Sequence, residues 1–128
     1  MTATPRAVEL SLAAAQAAAD KQAVDVTIID VSDRLALTDC FVLCSAPNER
    51  QVGAVVDAVA ERLRDIGSKP RRREGEGERR WVLMDFLDIV VHVMHTEERE
   101  FYALERLWKD CPEIPFIDAA LAARSGSA

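Results

Sequence analysis

Apolar and polar positions follow distinct rhythms along this chain, and each rhythm predicts an element. In residues 5–20 the apolar side chains Val8, Leu12, Ala15 and Ala19 recur at helical spacing. Thr4 suits an N-cap, and Pro5 suits the first helical position, where a missing N–H costs nothing. Residues 24–31 are rich in β-branched side chains, which predicts a strand. Cys40-Phe41-Val42-Leu43-Cys44 is apolar at every position, as in a central strand covered on both faces. Asn48 and Gln51 have the spacing of a capping box. Behind them Val52, Val55, Val56, Val59, Leu63 and Ile66 trace one helix face, and Gly67 is placed to close it.

Residues 69–80 (KPRRREGEGERR) are charged and punctuated by glycine, which predicts a short edge strand running into an exposed hairpin loop. Residues 81–86 and 88–95 read as two further strands joined tightly. Thr96 is placed to cap a last helix whose first turn holds Glu97, Glu98 and Glu100, favourable at the positive end of the helix dipole. Phe101, Leu104, Leu107 and Trp108 are expected on its buried side, and Cys111-Pro112 ends it. Residues 1–110 then form one domain and residues 111–128 a loosely attached tail. The order α-β-β-α-β-β-β-α, with no repeat and no linker, predicts an α/β fold with one mixed five-stranded sheet and helices packed against it.

Strand parity divides the last two strands into faces. Val82, Met84 and Phe86 alternate with Trp81, Leu83 and Asp85; Ile89, Val91 and Val93 alternate with Val90, His92 and Met94. The sets without polar side chains are expected under the helices. The opposite sets mix aromatic and aliphatic side chains with Asp and His, which suits a protein-binding surface unless a further helix covers them.

Composition narrows the function. The chain has 128 residues, 49% hydrophobic and 30% charged, enough for a single core that buries roughly two-thirds of the unfolded surface. Its net charge of -6 makes it a poor grip for a phosphate backbone. Any work near nucleic acid is therefore expected to run through a basic protein partner. No stretch approaches the ~20 apolar residues of a membrane helix, and the amino terminus lacks the basic start and leucine-rich run of a signal peptide. Three cysteines without a Cys-x-x-Cys spacing fit a reducing compartment, so a cytoplasmic location is expected.

Candidate chemistry is sparse. Asp85 and Asp88 are three apart across a turn, whereas two metal-binding carboxylates on one strand want a spacing of two. His92 and His95 are also three apart and face opposite sides of a strand, which is wrong for shared chelation. Cys40 and Cys44 share a face but lie ~13 Å apart at strand spacing, too far for one ion or a disulfide. Cys111 has no nearby base. There is no phosphate-binding glycine loop and no nucleophile elbow. Arg71, Arg72, Arg73, Arg79 and Arg80 are interleaved with Glu74, Glu76 and Glu78, as in a solvated loop with at most a peripheral phosphate contact. Read from its residues, the chain is a binding domain without catalytic residues, metal or cofactor.

Several segments taken together resemble the ribosomal silencing factor family (RsfS, Iojap-like). They are Asp30-Val31-Ser32, Thr38-Asp39-Cys40-Phe41-Val42-Leu43-Cys44-Ser45, Arg50-Gln51-Val52, Glu74-Gly75 and Trp81-Val82-Leu83-Met84-Asp85. The longest are Asp88-Ile89-Val90-Val91-His92-Val93-Met94-His95 and the run from Glu100 to Trp108. The resemblance implies a nucleotidyltransferase-like fold without the catalytic residues. It also implies binding to the large ribosomal subunit through its protein fourteen, so that the small subunit cannot join and translation falls when nutrients are scarce. A part in late assembly of the large subunit is implied as well. The chain departs from the family pattern at Ser45-Ala46, where Ser-Gly is common, and at Leu87, where glycine is common.

On that reading Trp81, Leu83 and Met94 are the expected apolar anchors, with His92 on the same face. Asp85 and Asp88 are the expected partners of basic side chains, and Leu87, Arg99 and Tyr102 complete the rim. The same face, uncovered off the ribosome, is expected to pair two copies into a homodimer. A residual nucleotidyltransferase acting on a nucleotide or a tRNA end is the alternative.

Overall fold

The computed structural model describes residues 2–126. Helix α1 (Pro5–Asp20) starts where Thr4 accepts the Ala7 N–H on its side-chain oxygen. Its buried face carries Ala7, Leu10, Ser11, Ala14, Ala15, Ala17 and Ala18; of the expected stripe only Ala15 is fully buried, and Leu12 is exposed. Alanines let the helix axis lie close to its neighbours, so the small-residue face turns inward in preference to the one bearing Val8 and Leu12. Strand β1 (Val24–Asp30) follows, then β2 (Cys40–Ala46), buried along its whole length as expected of a central strand.

Helix α2 (Glu49–Asp65) buries Val52, Val55, Val56, Val59 and Leu63. Asn48 caps it by accepting the Gln51 N–H, but the Gln51 side chain does not return the bond; its amide donates to the Lys21 and Gln22 carbonyls instead. At the other end Gly67, with φ +91°, donates to the Arg64 carbonyl while the Ser68 N–H reaches the Leu63 carbonyl. This is a Schellman close, and the left-handed backbone it needs favours glycine.

Strands β3 (Arg72–Glu74), β4 (Trp81–Asp85) and β5 (Ile89–His95) complete the main sheet. Their loop turns tightly at Gly75, φ +86°, where an added Cβ would stand 2.0 Å from the Trp81 carbonyl oxygen. The sheet order is β3-β4-β5-β2-β1-β6, antiparallel throughout except for the parallel pair β2–β5. The sixth strand, β6 (Glu113–Ile114), corrects the five-stranded expectation. It pairs with β1 through Ile28 and Ile29, so residues that read as a loose tail add an edge to the sheet. Beyond it the Gln16 side chain bonds Asp118 and the Ala119 N–H at the start of α5 (Ala119–Gly126).

Helices α1 and α2 cover one sheet face, and Val82, Met84, Phe86, Ile89, Val91 and Val93 lie in the core beneath them, as parity predicts. The other face is partly covered by α3 (Thr96–Tyr102) and α4 (Leu104–Leu107). The cap of α3 is His95, whose Nδ1 accepts the Glu97 N–H, and Thr96 is already helical. Ala103, at φ +46°, breaks the expected single helix in two. The break shifts the phase of the apolar stripe: Leu104 packs inward, Trp108 is half-buried, and Phe101 is 81% exposed with Leu107 also in solvent. Arg80 ties the starts of α2 and α3 together, donating to Glu49, Glu97 and Glu98. Its guanidinium holds the Glu98 carboxyl below the usual carboxylate range.

Candidate functional site

The sheet face opposite α1 and α2 divides into a covered and an open part. Under α3 and α4, Ile29, Val31, Phe41, Leu43, Met94 and Leu104 form a second core cluster. Met94 is fully buried there, which corrects its expected role as an exposed anchor: the α3–α4 segment occupies the position a partner was expected to fill. Arg99 is likewise buried instead of standing at a rim, with its Nε donating to Glu105 at 2.9 Å.

The open part runs along β4. Trp81, Leu83 and Asp85 are half-buried, and Tyr102 and Leu87 are exposed at its two ends. Trp81 is held from two sides. Its ring centroid lies 4.9 Å from that of Tyr102, and its Nε1–H donates to His92 Nδ1 at 3.1 Å. Beyond Leu83 the surface dips into a depression of about 230 Å³ walled by Leu35, Leu37, Phe41, Val90 and Arg72. The loop side chains Leu35 and Leu37, with Leu37 86% exposed, extend the apolar surface; strand parity cannot reveal loop residues, and sequence reading missed them.

His92 is 6% exposed and sits edge-on to Phe41, with ring centroids 5.0 Å apart. Indole N–H is donor only, so Nδ1 must be the acceptor and the neutral ring carries its proton on Nε2. Burial, with Arg99 adding to it, pushes the imidazole down to about 4. The folded value lies below the ordinary 6.5, so this contribution to stability is full above pH 6.5 and is lost as pH falls towards 4. Between those limits urea unfolding is expected to show a loss on the order of 3 kcal/mol in the wild type beyond that of His92→Gln. Parallel pH profiles for the two proteins would remove His92 from the account.

Asp85 accepts the Leu87 N–H at 2.8 Å on Oδ1 and faces Arg71 at 3.7 Å through Oδ2. Both oxygens thus serve the turn and the neighbouring edge strand. Leu87 adopts φ +76°, a left-handed backbone unusual for a leucine, and projects its side chain into solvent beside Asp88. Asp88 is half-buried and holds the chain crossing through its carbonyl, which accepts the Asp39 N–H. Among the described residues no group of three or more His, Cys, Asp or Glu side chains is placed to hold a metal ion.

Cys40 and Cys44 are buried free thiols that burial pushes up to about 11 and about 12, so both remain protonated core side chains at neutral pH. In the arginine-rich hairpin Arg73 bonds Glu76 at 2.8 Å, Arg72 lies 3.6 Å from Glu74, and Arg80 is engaged with three glutamates. Local carboxylates therefore answer much of its charge. The site is an aromatic and aliphatic strip with carboxylates at its lower end. No described helix is long and apolar enough to cross a membrane.

Comparison with known proteins bears on what such a strip contacts. Residues 4–128 match the family model RsfS, described as ribosomal silencing factor during starvation. Over 99 residues the chain is 38% identical to the ribosomal silencing factor RsfS of Bacillus subtilis, covering 77% of this chain and 84% of that one. Over 106 residues it is 37% identical to the protein of the same name from Halalkalibacterium halodurans, covering 83% and 91%. A crystal structure of a Chromobacterium violaceum protein superposes with a TM-score of 0.77 at 32% identity, covering 80% of this chain and 85% of that one.

Proposed function

Because the chain belongs to the ribosomal silencing factor family, we propose that its open sheet face docks onto the large ribosomal subunit and blocks joining of the small one. The contact is with the subunit's protein fourteen, translation is repressed when nutrients are limiting, and the protein acts in the cytoplasm. Late large-subunit assembly is a second setting for the same contact. The observation that carries this reading is the Trp81 strip. A fixed aromatic ring, apolar neighbours and adjoining carboxylates form the kind of patch at which protein partners bind.

Electrostatics favours a protein over RNA as the partner. A chain at -6 repels phosphate and attracts a basic protein, and the arginine hairpin, much of it answered by carboxylates of the hairpin, β4, α2 and α3, adds at most a peripheral rRNA contact. Trp81, Leu83 and Tyr102 supply apolar area, Leu87 extends it, and Asp88 together with Asp85 meets cationic side chains. Met94 and His92 act from beneath by fixing the floor and the Trp81 ring, and Arg99 by holding the α3–α4 segment. Non-catalytic action follows, since blocking needs bulk at an interface rather than bond chemistry.

The test is subunit joining. Purified protein added to isolated large and small subunits is expected to shift the sucrose-gradient profile from joined particles to free subunits and to sediment with the large one. Undiminished joining at saturating protein, or sedimentation with the small subunit, contradicts the reading.

Off the ribosome the same exposed side chains support a two-fold homodimer. Analytical ultracentrifugation is expected to show dimers for the wild type and monomers for Trp81→Ala combined with Phe101→Asp. An unchanged dimer in that variant excludes this face as the interface.

A further inference from the structure

Helix α3 carries Tyr102, whose ring steadies Trp81, yet little packing steadies α3 itself. Of its seven residues only Arg99 is buried, and both Phe101 and Tyr102 are exposed. A helix of about two turns does not hold itself, because nucleation costs more than so few hydrogen bonds return. Where α3 lies is therefore set by what grips it, and Arg80 grips its first turn.

Trp81 pairs with Met94 across β4 and β5, so Arg80 sits beside His95, where α3 begins. Its guanidinium donates to both carboxylate oxygens of Glu98, to Glu97 at 3.3 Å and to Glu49, the first residue of α2, at 3.0 Å. Its backbone carbonyl accepts the His95 N–H at 2.8 Å, and His95 in turn caps α3 by accepting the Glu97 N–H. One residue thus fixes the helix start through main chain and side chain together. The far end of α3 comes back to the next residue along, since the Tyr102 ring centroid lies 4.9 Å from that of Trp81. Without the cation, Glu49, Glu97 and Glu98 face one another as like charges and push the starts of α2 and α3 apart.

We propose that Arg80 is a positioning residue for docking: it sets α3 so that Tyr102 holds the Trp81 ring ready, without itself joining the contact. This role rests on the ribosome reading above. The direction of its effect separates it from plain electrostatics. Removing a cation makes the chain more acidic, which by charge alone strengthens attraction to a basic partner. Lost positioning acts the other way, since a ring that moves freely in the unbound protein must be ordered when the partner covers it.

Co-sedimentation of Arg80→Gln with isolated large subunits, at equal folded concentration and constant salt, tests the proposal. Affinity is expected to fall about fivefold or more. Arg80→Lys keeps the cation and is expected to dock with an affinity between those of wild type and Arg80→Gln. Amide exchange in residues 97–103 of Arg80→Gln is expected to quicken about tenfold or more while β2 keeps its wild-type protection. Equal or tighter docking by Arg80→Gln overturns the proposal, as does unchanged exchange in α3 or an Arg80→Lys protein that docks no better than Arg80→Gln. A wild type that does not sediment with the large subunit overturns the ribosome reading itself, and the docking role of Arg80 with it.

Discussion

Trp81→Ala is expected to weaken association with the isolated large ribosomal subunit by about thirtyfold or more, as loss of a central aromatic anchor typically costs ~2 kcal/mol or more. Two contacts hold the ring ready in the free protein, the tilted packing against Tyr102 and the hydrogen bond to His92. A ring fixed in this way loses little side-chain freedom when a partner covers it, which is why it outweighs its flexible neighbours. Trp81→Phe separates the two contributions, since it keeps an apolar ring against Tyr102 but cannot donate to His92 Nδ1. Its affinity is expected to fall between those of wild type and alanine in a co-sedimentation titration at constant salt. Urea unfolding of each variant checks that the folded fraction is unchanged. Equal affinity for wild type and Trp81→Ala removes the strip from the interface.

Met94→Asp is expected to lower stability by about 4 kcal/mol or more, enough to leave little folded protein. The side chain is fully buried in an apolar cluster with Leu43 and Leu104, so a carboxylate there gives up its hydration. Phe101→Asp, a comparable change in chemistry on an exposed side chain, is expected to stay within about 0.5 kcal/mol. Urea unfolding of the two proteins side by side reads the difference. Similar midpoints would mean that the α3–α4 segment is not packed on this face in solution.

That contrast also marks where the sequence stops being legible. Period-two alternation correctly assigned Val82, Met84, Ile89, Val91 and Val93 to the helix-covered face, because a strand's geometry fixes which side each residue takes. The capping and closing residues of α2 were legible for the same local reason. What covers the opposite face was not, since it depends on a helix break at Ala103, an alanine rather than the glycine or proline that usually announces one. Without the break, Phe101 and Leu107 continue a helical stripe with Leu104 and Trp108; with it, they point into solvent while Met94 and Arg99 are enclosed. The sixth strand escaped because two residues of β6 carry no alternation to detect, and their pairing is set by the β1 edge they meet. The resemblance to ribosomal silencing factors lay in the order and spacing of whole segments, so it survived these local errors.

Docking of the Trp81 strip is expected to bring its acidic end against a basic protein of the large subunit. Its most direct test is capture of large-subunit protein fourteen by the wild type and by the Asp85→Lys, Asp88→Lys double variant at equal folded concentration. The wild type is expected to retain the ribosomal protein and the charge-reversed protein to lose it, with the wild-type interaction weakening as salt is raised. Equal capture by both proteins, or capture by neither, contradicts the account.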